Sequence, residues 1–177
     1  MRRFLERLYR GCAALGALSL VAVFAIMIAE TALRKMGSYI TGANDLISWF
    51  CAASGFLALP WTFKTGELVR VGLFIDKVGG LRRRALELAC LGGAAVFAGF
   101  AAWATGRYMW KGAKAGELTQ GMIELPLWVP QLSLLIGLAV LCIAIVEEFV
   151  RVACGRETTY EVEARARLAR GEFGDTL

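Results

Sequence analysis

Four long uncharged runs dominate this chain, and they leave it very few ways to fold. Residues 11–29 lie between Arg10 and Glu30, 46–63 between Asp45 and Lys64, 88–106 between Glu87 and Arg107, and 125–146 between Glu124 and Glu147. Each holds about 18 to 22 residues, which at 1.5 Å per residue is roughly 27–33 Å of helix, the thickness of a bilayer's hydrocarbon core. None alternates apolar with polar positions, as a strand of a membrane barrel would. In lipid only a helix satisfies its own backbone groups, so the runs predict an all-α integral membrane protein with four transmembrane helices. With flanking turns the spans are read as 11–33, 46–63, 85–106 and 125–147, in one membrane domain over residues 1–154. A charged tail follows over 155–177.

The distribution of basic residues orients these spans. The net charge is +5, but the Lys and Arg residues are not spread evenly. Four precede the first run, six fall between the second and third, and five follow the fourth, fifteen in all on one side. The other two connections carry two and three. The positive-inside rule places the fifteen in the cytoplasm, with both termini there. The basic excess is therefore topological, and no nucleic-acid partner is expected. The basic N-terminus is read as part of an uncleaved first span, because its apolar stretch outruns a signal-peptide core and lacks a small-residue cleavage site.

The ends of the spans carry local signals. Asn44 or Asp45 suits the N-cap of the second helix, and Pro60 near its end can bend it. Over residues 67–78, Leu68, Val71, Phe74, Ile75 and Val78 share one helical face while Arg70 and Lys77 lie opposite. That segment is too short and too charged to span, and predicts an interfacial amphipathic helix between helices two and three. Arg82, Arg83 and Arg84 then meet membrane phospholipids at their phosphates. In the third run Ala95, Gly99, Ala102 and Gly106 recur at four, three and four, a narrow helix-packing face. Phe97, Phe100 and Trp103 project elsewhere, toward lipid or a partner. The third connection carries Tyr108 and Trp110, and with Trp128 these fit an aromatic belt. Glu147 is placed to pair with Arg151 one turn on.

No run has an ionisable residue in its middle, which argues against a self-contained pump. Glu30 sits at the outer end of its helix and is read as a solvated carboxylate. The chain has no histidine, so a bis-histidine haem anchor or a His-ligated metal is excluded. The five cysteines form no C-x-x-C pair, and neither a disulfide framework nor a metal site is expected. No cofactor is implied and no enzyme motif is present. Two readings stay open on the residues alone: an accessory or scaffold subunit, or a free-standing four-helix protein such as a small exporter.

Three places resemble a known family. Arg34 is followed by Gly42-Ala43-Asn44-Asp45-Leu46, with an acidic residue opening helix two. Phe63-Lys64-Thr65-Gly66-Glu67-Leu68-Val69-Arg70-Val71 follows helix two, and Ile123-Glu124-Leu125-Pro126-Leu127-Trp128-Val129-Pro130 precedes helix four. Together with the span order these are similar to the small membrane subunit, of DctQ type, of tripartite ATP-independent periplasmic (TRAP) transporters. Leu68 and Gly72 stand where the family often has His and Asp. The resemblance implies a bacterial inner-membrane subunit bound to a large membrane subunit that carries the substrate and sodium sites. A periplasmic binding protein would deliver an organic acid, commonly a carboxylate. Candidate contacts with partner or lipid are Arg34, Asp45, Trp49 and Arg70, the three arginines at 82–84, the aromatic face at 97, 100 and 103, and Trp128.

Overall fold

The computed structural model describes residues 2–38, 40–65 and 81–154. Those residues form four helices: α1 Arg2–Lys35, α2 Ala43–Thr65, α3 Leu81–Ala115 and α4 Trp128–Ala153. All four are long and apolar enough to cross a membrane. The expected interfacial helix over 67–78, with Arg70, lies outside the described residues.

Helix stops follow backbone chemistry more than charge. α1 runs past Glu30 and ends where Gly37 adopts φ +78°. The Ser38 amide donates to the Leu33 carbonyl at 3.0 Å and the Gly37 amide to Arg34 at 3.1 Å, a Schellman closure that a residue with a Cβ resists. α3 ends the same way: Gly116 has φ +67° and the Glu117 amide donates to the Gly112 carbonyl at 3.0 Å. Because that stop comes ten residues after Gly106, Arg107, Tyr108, Trp110, Lys111 and Lys114 ride on the helix, not in a loop. α2 starts at Ala43, with the Gly42 carbonyl accepting from Leu46. Asn44 and Asp45 therefore sit inside its first turn, and neither is the predicted N-cap.

The helices pack as a row in the spatial order α1, α2, α4, α3, with α2 and α4 central. Gly16 brings α1 onto α2, its Cβ position 3.1 Å from the Ser54 carbonyl oxygen. At the centre, Pro60 has no amide to give the Phe56 carbonyl four residues back. Gly137 of α4 fills that place: a Cβ there would overlap the Phe56 carbonyl, so a bare Cα–H points at the freed oxygen. On the far side α3 meets α4 at Gly92 with Phe149, Gly99 with Cys142 and Gly106 with Leu135, at 3.5, 3.8 and 3.7 Å from the glycine Cβ positions. One partner advances by seven residues as the other retreats by seven. This is the step of an antiparallel coil with left-handed crossing.

The best-buried side chains cluster toward the end that holds Tyr9 and Val152, and include Phe63, Leu91, Ala98, Val140, Ala144 and Ile145. The opposite end carries the α1–α2 and α3–α4 loops and is called the loop end below. Both outer helices leave apolar side chains uncovered: Leu18, Val21 and Phe24 on α1, and Val96, Phe97 and Phe100 on α3.

Candidate functional site

Two polar constellations sit at opposite ends of the row. At the Tyr9 end, α1, α2 and α4 converge on a buried charge cluster. Lys64 Nζ lies 2.7 Å from Glu147 Oε2 and 3.1 Å from Glu148 Oε1. Tyr9 donates its hydroxyl to Glu147 Oε2 at 3.1 Å, and the lysine Nζ sits 5.4 Å from the Tyr9 ring centroid. Arg151 approaches Glu148 at 4.0 Å. The Glu148 side chain is 1% exposed and Lys64 11%, so the charges are screened little by solvent. Two carboxylates facing an ammonium and a guanidinium are close to self-neutral, which is what allows such a group to be buried.

That geometry corrects the expected helical pair. Glu147 reaches across to Lys64 and Tyr9, and Arg151 is the neighbour of Glu148. The cluster joins the two ends of different apolar runs, and its only sequence signal was opposite charge at matching depths: Lys64 closes the second run and Glu147-Glu148 the fourth.

At the loop end a cavity of about 580 Å³ opens between α1, the α1–α2 loop and α2, lined by Glu30, Arg34, Ser38, Asn44, Asp45 and Met122 among others. Glu30 and Arg34 pair at 2.6 Å, with the carboxylate side chain 13% exposed and the arginine 68%. Glu30 is thus a shielded, paired carboxylate, not the solvated one expected. Asp45 spends its carboxylate on the α3–α4 loop, accepting from the Met122 amide at 2.8 Å and the Ile123 amide at 3.3 Å. Gly121 lies directly against it, its Cβ position 2.6 Å from Asp45 Cγ.

The loop that Asp45 holds is itself knitted. The Thr119 hydroxyl donates to the Ile123 carbonyl at 2.6 Å and accepts from the Leu125 amide at 3.1 Å. The Thr119 and Leu127 amides reach Leu125 and Glu117 carbonyls at 2.8 and 3.0 Å, and Leu118 bridges Pro126. Pro126 therefore belongs to this loop, and α4 starts two residues later.

The remaining candidates are placed as follows. Ala95 packs against the core, Ala102 is half-buried, and Gly99 and Gly106 meet α4 as above; Gly92, which sequence reasoning left out, lies in the same register. Phe97, Phe100 and Trp103 are 75%, 63% and 56% exposed. Trp49 is half-buried on α2, and Trp128 is exposed at the start of α4. Arg82, Arg83 and Arg84 occupy the first turn of α3, their side chains outside the description. Among the described residues no three metal-ligating side chains converge.

Comparison with known proteins adds the family. The family described as tripartite ATP-independent periplasmic transporters, DctQ component, matches residues 23–155, a stretch that takes in the last third or so of α1 and all of α2, α3 and α4. No curated protein matches the chain. The chain belongs to the DctQ family: it is a multi-pass membrane protein and a component of a transporter.

Proposed function

We propose that the chain is the small accessory membrane subunit of a TRAP-type secondary transporter in a bacterial inner membrane. It would hold a large membrane subunit that imports an organic acid on a sodium gradient, supplied by a periplasmic binding protein. The observation that carries this reading is the family match over residues 23–155, from the last part of α1 through α4. Its shape supports the same role. An open row with uncovered apolar faces on α1 and α3 offers a second membrane protein far more surface than a closed bundle would. The buried charge cluster is self-neutralised, which suits a brace between helices better than an ion path.

The excess of basic residues before the first span, between the second and third and after the fourth supports a cytoplasmic side for both termini and a periplasmic side for the loop end. The Ala95, Gly99, Ala102 and Gly106 face is the internal seam to α4 under this reading. Trp103, Phe97 and Phe100 face outward.

The test is reconstitution. Proteoliposomes holding the large subunit and the binding protein take up organic acid in a sodium gradient only when this chain is present. Unchanged uptake without it refutes an essential role. Purification as a homodimer with transport activity of its own would favour the free-standing exporter.

A further inference from the structure

The helix register sets the depths of charged residues against one another, and one group lands where charge is not expected. The Gly92–Phe149, Gly99–Cys142 and Gly106–Leu135 contacts put Glu148 level with Gly93 on α3. From Gly93 to Arg107 is fourteen residues, about 21 Å of helix, against about 30 Å of hydrocarbon. The Lys64–Glu147–Glu148 cluster marks one edge of the apolar spans of α1, α2 and α4. With the cluster at that edge, Arg107 falls about 9 Å short of the other edge. A second route agrees: the same register sets Arg107 level with Leu134, six residues past Trp128, again about 9 Å inward.

Shifting the membrane to spare Arg107 does not help. It would leave the apolar stretch of α1 from Leu20 outward uncovered and sink Arg7 and Arg10 instead. Three helices and their shared charge cluster agree on one depth, and α3 is the exception.

On α3 the misplaced charge is organised. At 100° per residue Trp103, Arg107, Trp110 and Lys114 fall within about 60° of one another, with Lys111 beside them. All five are exposed, and α3 is an edge helix that packs on α4 alone among the described pairs with extensive contact. The Arg107 guanidinium lies 4.9 Å from the Trp103 ring centroid and Lys114 Nζ 5.0 Å from that of Trp110. Helical side chains lean toward the N-terminus, so each cation is laid back over its indole, deeper into the membrane. Glu117 folds over Gly112, on the opposite side of the helix. A lipid-facing guanidinium at such depth requires an anion or water drawn in beside it.

We propose that the Trp103–Arg107–Trp110–Lys111–Lys114 face holds the headgroup phosphate of an anionic phospholipid, drawn below the plane of the leaflet at the loop end. Lys111 and Lys114 stand one and two turns above Arg107 and lead from the leaflet surface down to it. The indoles take the glycerol region, and the uncovered Val96, Phe97 and Phe100 take the acyl chains. This face of α3 must then stay in contact with lipid in the assembled complex, which leaves the uncovered face of α1 to a second membrane protein.

Native mass spectrometry of the full chain, released from bilayers of mixed phosphatidylglycerol and phosphatidylcholine, tests it. Phosphatidylglycerol should be retained preferentially. At roughly a factor of five per cation, Arg107→Gln with Lys111→Gln should lower its retention about thirtyfold, while Lys35→Gln leaves it unchanged. Unmodified protein gives a second reading free of folding defects. Phosphatidylglycerol brominated near its carbonyls should quench tryptophan emission more than the matching phosphatidylcholine, and Trp103→Phe with Trp110→Phe should remove most of the difference. Equal retention of the two lipids, an equal fall for Lys35→Gln, or equal quenching by both would overturn the proposal. So would a photocrosslinker at position 107 that captures protein and no lipid in the native membrane.

Discussion

Replacing Gly137 by alanine adds one methyl group at the centre of the row, and the structure dictates a large response for so small a change. The new Cβ would sit 2.7 Å from the Phe56 carbonyl carbon and 3.0 Å from the Phe56 Cβ, where carbon atoms prefer about 3.5–4.0 Å. The obstacle is backbone, so no rotamer change relieves it, and α2 and α4 must separate by most of an ångström. Overpacking of this kind costs about 1–3 kcal/mol. Loss of the Cα–H contact to the oxygen that Pro60 leaves free adds about 0.5–1 kcal/mol. Against this, alanine gains up to about 1 kcal/mol of helix propensity over glycine. The net expectation is a loss of about 1–3 kcal/mol. Gly99→Ala is the matched control on the other seam: its Cβ would meet Cys142 Sγ at 3.8 Å, ordinary contact, so the propensity gain stands and stability holds or rises. Unfolding both variants in mixed micelles, followed by circular dichroism, measures the gap. A Gly137→Ala protein as stable as the parent, or a Gly99→Ala protein that falls further, refutes the packing argument.

Other perturbations separate the remaining interactions. Lys64→Met strands two buried carboxylates and should cost about 3–5 kcal/mol, and adding Glu147→Gln and Glu148→Gln should recover most of it; thermal unfolding in detergent reads both. Asp45→Asn removes a charged acceptor from two amides, each bond being worth about 1.5–3 kcal/mol. Hydrogen exchange should then rise at Met122 and Ile123 and stay unchanged in α4. Glu30→Gln breaks an i,i+4 pair whose arginine is mostly exposed and should cost about 0.5 kcal/mol or less, with uptake by the reconstituted transporter essentially intact. Gly99→Leu pushes a branched side chain past Cys142 and should lower the yield of folded protein on size exclusion, where Gly99→Ala does not.

The four helices were legible because lipid tolerates so few alternatives: an uncharged run of twenty residues has one structure there. The helix ends were less so. Arg107 suggested a boundary, yet a charged residue does not end a helix; Gly116 does, because its left-handed φ lets the last carbonyls close. Asp45 has the chemistry of an N-cap, but its acceptor capacity went to amides 77 and 78 residues away in sequence, a pairing set by tertiary approach. The Lys64–Glu147–Glu148 cluster was half visible, as charges at run ends, and needed the spatial order of helices to become a contact. Gly92 escaped notice because its neighbour Gly93 blurs the small-residue spacing. The seven-residue recurrence with 99 and 106 appears once α4 lies alongside.

The row order α1, α2, α4, α3 bears on how the protein is made. Each helix packs heavily on its sequence neighbour within two hairpins, α1–α2 and α3–α4, and the hairpins meet along one seam at Gly137 and Lys64. Two preassembled halves docking through that seam need no threading of one helix between others already in place. A chain cut between residues 65 and 81 and expressed as two pieces should therefore reassemble in the bilayer, each hairpin inserting by itself before finding the other.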